Sequence, residues 1–389
     1  MHAIQLQGSV RLKPSREQSL LRFHPWVFSG AIQEQPPELP DGCWVSVTDH
    51  RGKNLGFGHF QQGSISIRIL HFGETLDPAL YIYKVQAAVR LRLDLGMLND
   101  KTNCCRLVHG EGDGLPGLVI DLYDKVAVVQ SHSHGMNADR ERIAEALNSV
   151  LRERITAIWF RDTFSGQGQY LSGSAMVPGE VLENGNKFLV DWVQGQKTGF
   201  FLDQRDNRQL LSTYCNGKQV LNTFAYTGGF SVYALRGGAT LVHSVDASAS
   251  ASAMCAKNIR LNGFDPDLHR SVAMDTFEFL KKAETQYDVI ILDPPAFAKH
   301  KDSRHQAMKG YQRLNAEALK VIRSGGILFT FSCSQVVDRQ LFYDTVMSSA
   351  IQAGRDARVI GHLSQPGDHP VSAFHPEGAY LKGLVLYIA

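Results

Sequence analysis

From about Gln219 onward, short apolar segments alternate with helical segments, and this alternation constrains the fold more than any other feature of the sequence. The predicted strands are Val220–Phe224, Leu241–Val245, Ser271–Met274, Tyr287–Leu292, Gly326–Phe331, a stretch near Val359, and Gly383–Ile388. The predicted helices between them end near Arg236, Asn262, Lys282, Arg323 and Ala353. Such alternation predicts a mostly parallel sheet with helices on both faces. Ligands of these sheets bind beyond the carboxyl ends of the strands.

Two further regions precede this sheet. Residues 1–75 contain short strand-like segments separated by glycine turns, which predicts a small β-barrel. A helical stretch from about Pro78 to Leu98 follows, and residues 105–190 read as several strands and a helix, which indicates a second unit.

Composition excludes several classes of protein. The formal net charge is only +2, so bulk charge does not bind this chain to polyanions, although local basic patches remain available. We see no signal peptide and no apolar run long enough to span a bilayer, so we expect a cytosolic protein with no membrane partner and six reduced cysteines. No C-x-x-C or H-E-x-x-H motif is present, so we expect no metal site.

The residues at the predicted strand ends carry the chemistry. The first strand leads into a glycine-containing turn, Asn222–Phe230, which lets the backbone approach a ligand closely but lacks the G-x-G-x-x-G pattern of dinucleotide sites. The next three strands end in Asp246, Asp275 and Asp293, and the fifth ends in Cys333. A carboxylate at the second strand can accept hydrogen bonds from both ribose hydroxyls. Taken singly, each aspartate can also cap a helix or form a turn, and the cysteine can be a small buried hydrophobe.

In this order, the glycine turn, Asp246, Asp275 and Asp293-Pro-Pro resemble the S-adenosylmethionine-dependent methyltransferase fold. Thr330–Ser334 together with Asp293-Pro-Pro resembles the RNA 5-methylpyrimidine methyltransferases. More narrowly, four motifs resemble the bacterial ribosomal large-subunit methyltransferase I family, nearly end to end. They are His24–Gly30, Lys197–Asp206, Tyr226–Phe230 and His375–Gly383. The resemblance implies methylation of carbon 5 of a cytosine in 23S rRNA. It also implies three domains, namely a PUA domain over residues 1–75, a small central α/β domain over 80–190 and a methyltransferase domain over 191–389.

The same resemblance implies roles for individual residues. Cys333 is the expected nucleophile, and Asp293 is expected to hydrogen-bond nitrogen 3 of the target base. Glu377 and Lys382 are two alternative candidates for the base that removes the proton at carbon 5. The residues expected at the S-adenosylmethionine pocket are Asp203, Arg205, Phe224, Tyr226, Thr227, Gly228, Asp246, Asp275 and Asp293.

Two groups of basic residues are candidate RNA contacts, because phosphate contacts position an RNA. One group follows Asp293-Pro-Pro and includes Lys299, Lys301 and Arg304, and the other includes Arg11 and Lys13. The alternative for the first group is a solvated helix face. The expected partner is 23S rRNA or a precursor of the large ribosomal subunit, and a homodimer is left open.

Two other functions are weighed against this one. An RNA guanine methyltransferase could use the same scaffold, but a guanine nitrogen is already nucleophilic and needs no cysteine. A non-catalytic RNA-binding assembly factor is the second alternative, and the retained Asp246, Asp293 and Cys333 argue against it.

Overall fold

The computed structural model describes residues 4–284, 286–298 and 300–389, without the side chain of Lys301. The chain forms two compact units. The first contains residues 1–179, 190–199 and 367–378, and the second contains 180–189, 200–366 and 379–389. The chain therefore passes between the units several times. The division into three domains at 1–75, 80–190 and 191–389 stays a prediction.

The first unit begins with a six-stranded sheet. Its elements are β1 (Leu6–Leu12), α1 (Gln18–Leu21), β2 (Trp26–Phe28), β3 (Ile32–Glu34), β4 (Trp44–Thr48), β5 (Asn54–Phe60) and β6 (Ile65–Phe72). The strand order is β2-β6-β5-β4-β1-β3. Alternate side chains such as Val45, Val47 and Ile67 are fully buried, as expected for strands with one face in a core. Gly58 in β5 is required by close packing, because a Cβ atom there would lie 2.1 Å from the Arg68 carbonyl oxygen.

A second sheet of the first unit has five strands. Its elements are α2 (Leu80–Asp94), β7 (Cys104–His109), β8 (Leu118–Tyr123), β9 (Val126–Ser131), α3 (His134–Ala138), α4 (Arg140–Leu151), β10 (Ala157–Asp162) and β11 (Gly168–Ser172). The order is β11-β10-β9-β8-β7, and only β9 and β10 run parallel. Cys104 and Cys105 are fully buried, as is usual for free cysteines that act as small apolar side chains.

The second unit contains a short hairpin and the large sheet. Its elements are β12 (Gly179–Glu183), β13 (Asn186–Val190), α5 (Arg205–Ser212), β14 (Gln219–Thr223), α6 (Gly229–Arg236), β15 (Leu241–Asp246), α7 (Ala249–Leu261), β16 (His269–Ala273), α8 (Thr276–Lys282), β17 (Tyr287–Leu292), α9 (Arg304–Val321), β18 (Ile322–Ser332), α10 (Arg339–Ala353), β19 (Ala357–Leu363) and β20 (Lys382–Ile388).

The seven-stranded order is β16-β15-β14-β17-β18-β20-β19, and only β20 runs antiparallel to its neighbours. The prediction of a mostly parallel α/β sheet is confirmed. The chain moves from β14 to one side through β15 and later returns to pair β17 on the other side. This reversal opens a crevice at the carboxyl ends of the central strands, which is where ligands of such sheets bind.

The elements that were not predicted include β11, the β12–β13 hairpin and α5. Helix α5 covers Arg205–Ser212, a polar segment next to the predicted cofactor loop. Among the described residues, no helix is both long and apolar enough to cross a membrane.

Candidate active site

The loop after β14 has an unusual backbone. Phe224 and Tyr226 have φ angles of 52° and 46°, and Gly228 has a φ angle of 84°. Left-handed conformations at bulky residues cost about 1–3 kcal/mol each and occur mainly where surrounding structure enforces them. Between them, the carbonyl of Thr227 accepts a hydrogen bond from Asn258 Nδ2 at 2.9 Å. These four predicted cofactor residues therefore form one constrained turn at the carboxyl end of the central strand.

Asp246 holds this turn against the neighbouring strand. Its two carboxylate oxygens accept the backbone N–H groups of Tyr226 and Ser248, each at 2.8 Å. The side chain is half-buried at the end of β15. Each carboxylate oxygen has a second lone pair for a further donor. The carboxylate can therefore accept two hydroxyl groups while it fixes the turn.

This edge of the sheet fits S-adenosylmethionine. Asp246 offers a fixed carboxylate for the ribose hydroxyls, and Phe224 and Tyr226 are half-buried aromatic side chains of the same turn. Asp275, the predicted adenine partner, is exposed and caps α8, because its carboxylate accepts the N–H of Glu278 at 3.1 Å. Its contact with adenine stays a prediction.

Replacing Asp246 by asparagine is expected to weaken S-adenosylmethionine binding by about ten- to hundredfold, since a charged hydrogen-bond partner contributes ~1.5–3 kcal/mol. Asparagine keeps one acceptor oxygen for the turn, so the fold should survive. Calorimetric titration measures the change, with the exposed Asp267→Asn as the matched control. Equal affinities of Asp246→Asn and the unmodified chain would remove Asp246 from the pocket.

Asp203 and Arg205 are buried in the second unit, next to a charge network that was not predicted. The carboxylate of Asp203 accepts the hydroxyl of Tyr380 at 2.7 Å. The guanidinium of Arg208 donates to both oxygens of Glu183, at 2.8 and 2.7 Å, and Arg205 Nε lies 3.5 Å from Glu183 Oε2. Arg205 is thus paired within the protein, and its contribution to the cofactor pocket stays a prediction.

Asp293 and Cys333 come from adjacent parallel strands. Leu292 of β17 is paired with Thr330 of β18, so the residues that follow both strands emerge at the same edge of the sheet. Neighbouring strands lie about 4.8 Å apart, which suits two side chains that face one planar base. Both side chains are half-buried. The structure therefore brings the two predicted residues together.

Tyr311 of α9 anchors both of these strand ends. Ser332 Oγ donates to its hydroxyl at 3.0 Å, and its ring contacts Phe297 with centroids 4.6 Å apart. Burial is the main reason that the pKa of Tyr311 is raised to about 12, and the hydrogen bond with Ser332 opposes this shift. The phenol is therefore neutral at physiological pH. Sequence analysis missed Tyr311, because one tyrosine at a helical spacing is indistinguishable from an ordinary core residue.

The second serine of the Ser-Cys-Ser segment is also fixed. Ser334 Oγ donates to the carbonyl of Ala298 at 2.7 Å, in the loop that follows Asp293-Pro-Pro. The serines on both sides of Cys333 therefore fix its backbone, one through Tyr311 and the other through the loop that follows Asp293-Pro-Pro. This arrangement explains why the apolar strand ends in a cysteine between two serines.

Lys382 is a buried cation on β20, next to the Ser-Cys-Ser segment at the end of β18. It pairs with Ser332 across β18 and β20, and its Nζ donates to the carbonyls of Ser334 and Val337, at 2.5 and 2.6 Å. Burial lowers the pKa of Lys382 to about 8, whereas the negative charge of Cys333 opposes that shift. The ammonium is thus held near the thiol and can stabilise its ionised form.

Glu377, the other candidate base, belongs to the first unit, where it is exposed beside His24 and His375. Its role as a base stays a prediction.

The basic residues have varied surroundings. Arg304 is exposed at the first position of α9, whereas Lys299 and the side chain of Lys301 lie outside the described part of the chain. Arg11 is paired with Glu34 at 3.2 Å, and Lys13 Nζ donates to the carbonyl of Gly30 at 2.9 Å. The pairing with Glu34 reduces the positive charge that Arg11 offers to a phosphate.

Comparisons with known proteins agree with this architecture. Residues 142–384 match the model of the S-adenosylmethionine-dependent methyltransferase family, and residues 10–72 match that of the PUA-like domain. The fold class and the N-terminal PUA-like domain predicted from sequence are therefore confirmed, and so is S-adenosylmethionine as the cofactor.

Individual relatives cover nearly the whole chain. The ribosomal RNA large subunit methyltransferase I of Alteromonas mediterranea is 39% identical over 394 residues, which span 98% of each chain. A protein from Streptococcus mutans, described as a SAM-dependent methyltransferase, has a similar fold with a TM-score of 0.84, at 24% identity over 97% of this chain and 99% of that one. Another solved protein, described as a methyltransferase and crystallised with SAH, superposes with a TM-score of 0.85 at 25% identity, over the same shares of the two chains. With both family models and full-length relatives in agreement, the chain belongs to the ribosomal RNA large subunit methyltransferase I family of S-adenosylmethionine-dependent enzymes.

Proposed function

We propose that this enzyme methylates carbon 5 of a cytosine in 23S rRNA, and that the reaction passes through a covalent adduct on Cys333. The observation that carries the proposal is the placement of Cys333 next to Asp293, with a serine-anchored backbone and a buried lysine beside it. An enzyme that methylates a nucleophilic ring nitrogen has no use for this arrangement. The names of the relatives support ribosomal RNA as the substrate.

The proposed chemistry begins at carbon 6 of the base. Carbon 5 of cytosine is a weak nucleophile, and addition of the Cys333 thiolate to carbon 6 moves electron density onto carbon 5. Asp293 supplies a proton to nitrogen 3 as the carbon–sulfur bond forms, so that negative charge does not accumulate on the ring. S-adenosylmethionine supplies the methyl group on a positively charged sulfur, which takes the bonding electron pair as the methyl moves to carbon 5.

The adduct must then collapse. A base removes the proton at carbon 5, and the electrons of that bond restore the 5,6 double bond as the Cys333 thiolate leaves. Nitrogen 3 returns its proton to Asp293. At the end of the reaction, Cys333 is again a thiolate and Asp293 again carries its proton. Tyr311 and the two serines position Cys333 throughout but take no proton from the substrate.

The target base must leave its stack to reach this pocket, and an unpaired base does so at the lowest cost. The first domain, residues 1–75, is proposed to position the RNA through contacts with the RNA backbone. Arg304 is proposed to contact a phosphate near the pocket. The expected partner is 23S rRNA or a precursor of the large subunit.

Nucleoside analysis tests the substrate base directly. Purified protein with S-adenosylmethionine and unmodified 23S rRNA should produce 5-methylcytidine, seen by mass spectrometry after complete digestion. Formation of a methylguanosine instead would favour the alternative on the same scaffold. If neither free rRNA nor subunit precursors yield a methylated nucleoside, the result would favour the assembly-factor alternative.

Replacing Lys382 by methionine is expected to lower kcat/KM roughly tenfold at pH 7. The methionine cannot stabilise the ionised Cys333 thiol, and one pKa unit of a thiol corresponds to a tenfold change in its ionised fraction. Lys382 is charged below its pKa of about 8 and loses its charge as the pH rises through that value. The difference in kcat/KM between the unmodified chain and Lys382→Met should therefore be largest below pH 8 and decrease as the pH rises above that value. A pH profile of both proteins measures this difference.

Lys382→Gln separates charge from positioning, since glutamine can still donate to one of the two carbonyls. Both variants should show the same loss at low pH if the charge matters. A loss that grows in both variants as the pH rises through 8 would instead assign Lys382 the role of the base, because only the neutral amine accepts a proton.

A further inference from the structure

We propose that His24, His375 and Glu377 of the first unit bind a divalent transition-metal ion of the zinc type. His24 Nε2 lies 3.8 Å from one oxygen of Glu377, and His375 Nε2 lies 3.8 Å from the other. One ligand atom from each residue lies within 4.8 Å of the others. Ligands bonded to zinc at about 2.0–2.2 Å lie roughly 3.3–3.6 Å apart in tetrahedral geometry. Rotation of the exposed Glu377 side chain, together with a small shift of the half-buried His24 ring, can close the remaining difference.

The surroundings of His375 point independently to a ligand. This residue is only 3% exposed. Among the described residues, neither of its ring nitrogens has a hydrogen-bond partner. Burying a polar group without a partner is costly, so an imidazole with two such nitrogens is a rare arrangement. A metal ion at Nε2 would satisfy one of them.

Packing holds the imidazole of His375 in place. Its ring contacts the indole of Trp26 at a centroid distance of 4.4 Å. The indole Nε1 in turn donates to Glu111 at 2.9 Å. A buried ring fixed in this way loses little freedom when it binds an ion, so that binding requires little reorganisation.

His24 must change its tautomer to take part. The Trp26 backbone N–H donates to His24 Nδ1 at 3.2 Å, so the neutral ring carries its proton on Nε2. Coordination through Nε2 moves that proton to Nδ1 and breaks this hydrogen bond. The number of protons on the ring does not change. The Trp26 amide therefore provides a specific signal of binding.

The ligand set selects the kind of ion. Two imidazoles and one carboxylate suit zinc and its neighbours among the transition metals, whereas calcium and magnesium prefer oxygen ligands. The Glu377 side chain is 56% exposed, so water can complete the coordination. Spacing motifs in the sequence do not reveal this site, because its ligands come from opposite ends of the chain. The expectation that the protein has no metal site depended on such motifs.

Titration of the metal-free, full-length protein with Co²⁺ and Zn²⁺ tests the proposal. One equivalent of Co²⁺ should give visible absorption bands of a nitrogen and oxygen site and quench the fluorescence of Trp26. Zn²⁺ should displace it. His24→Ala and His375→Ala should each weaken binding by at least about tenfold, as loss of even supporting residues around metal sites does. The exposed His305→Ala of α9 is the matched control and should leave binding unchanged.

In the metal titration, two results would overturn the site. One is the absence of binding at one equivalent. The other is binding that persists in His24→Ala with an intense sulfur-to-cobalt charge-transfer band, which would place the metal on cysteines. If His375→Ala does not fold, His24→Ala and Glu377→Gln give the same affinity test. Unchanged Trp26 amide and fluorescence signals on binding would also contradict the proposal.

Discussion

Replacing Cys333 by alanine is expected to lower the rate of methylation by at least roughly a thousandfold, because loss of the nucleophile in covalent enzymes costs that much or more. The affinity for S-adenosylmethionine should not change. The experiment uses RNA in which the target cytosine carries fluorine at carbon 5. Fluorine cannot leave as a cation, so the unmodified protein should be trapped as a covalent complex once the methyl group has been transferred.

A denaturing gel should show the trapped complex as a shifted band, and mass spectrometry should locate the RNA on Cys333. Cys333→Ala should give no such band. Cys215→Ser serves as a matched control, because Cys215 belongs to the same unit and is buried, and its thiol donates to the Leu211 carbonyl. Methylation by Cys333→Ala at near the normal rate would end the covalent proposal and leave the cysteine as ordinary packing.

Replacing Glu183 by glutamine is expected to lower the free energy of unfolding of the second unit by about 3–5 kcal/mol. Glu183 is fully buried and pairs with the guanidinium groups of Arg205 and Arg208. Its removal leaves the buried guanidinium of Arg208 without the carboxylate with which it pairs. Arg208 keeps the hydrogen bond to the Phe201 carbonyl at 2.8 Å, but that neutral acceptor does not replace a carboxylate.

Urea unfolding followed by a probe in the second unit measures this loss, since two units need not unfold in one step. Glu180→Gln is the control within the same hairpin. Its partner Lys187 lies 3.2 Å away, and both side chains are about half exposed, at 47% and 48%. An exposed pair contributes only ~0–1 kcal/mol. Equal effects of the two substitutions would show that the buried network does not stabilise this unit.

The large sheet could be predicted because its strands are nearly continuous apolar runs. Tyr287–Leu292 was predicted with the bounds that the structure shows, since a fully buried parallel strand has few polar residues. The hairpin β12–β13 and helix α5 were missed for the opposite reason. Arg205–Ser212 contains mostly polar residues, and its two buried arginines, Arg205 and Arg208, pair with Glu183. A local sequence pattern cannot reveal an ion-pair partner, such as Glu183, that is distant in the sequence.

The candidate site divides in the same way. Asp246, Asp293 and Cys333 could be named as candidates because a residue at the end of a parallel strand has a known position in such a fold. Tyr311 and the contacts of Lys382 could not, because they depend on which helix or strand packs beside the site. Asp275 shows that a residue at such a position can also serve as a helix cap.

The placement of β20 has a consequence for biosynthesis. This strand comes from residues 382–388, yet it lies between β18 and β19, and it carries Lys382 to the Ser-Cys-Ser segment. A chain that emerges from its N-terminus cannot join β18 to β19 until these residues have been made. The thiol and its neighbouring ammonium therefore meet only after β20 has been synthesised. Until then, β18 has an unpaired edge, which is the kind of surface on which nascent chains aggregate.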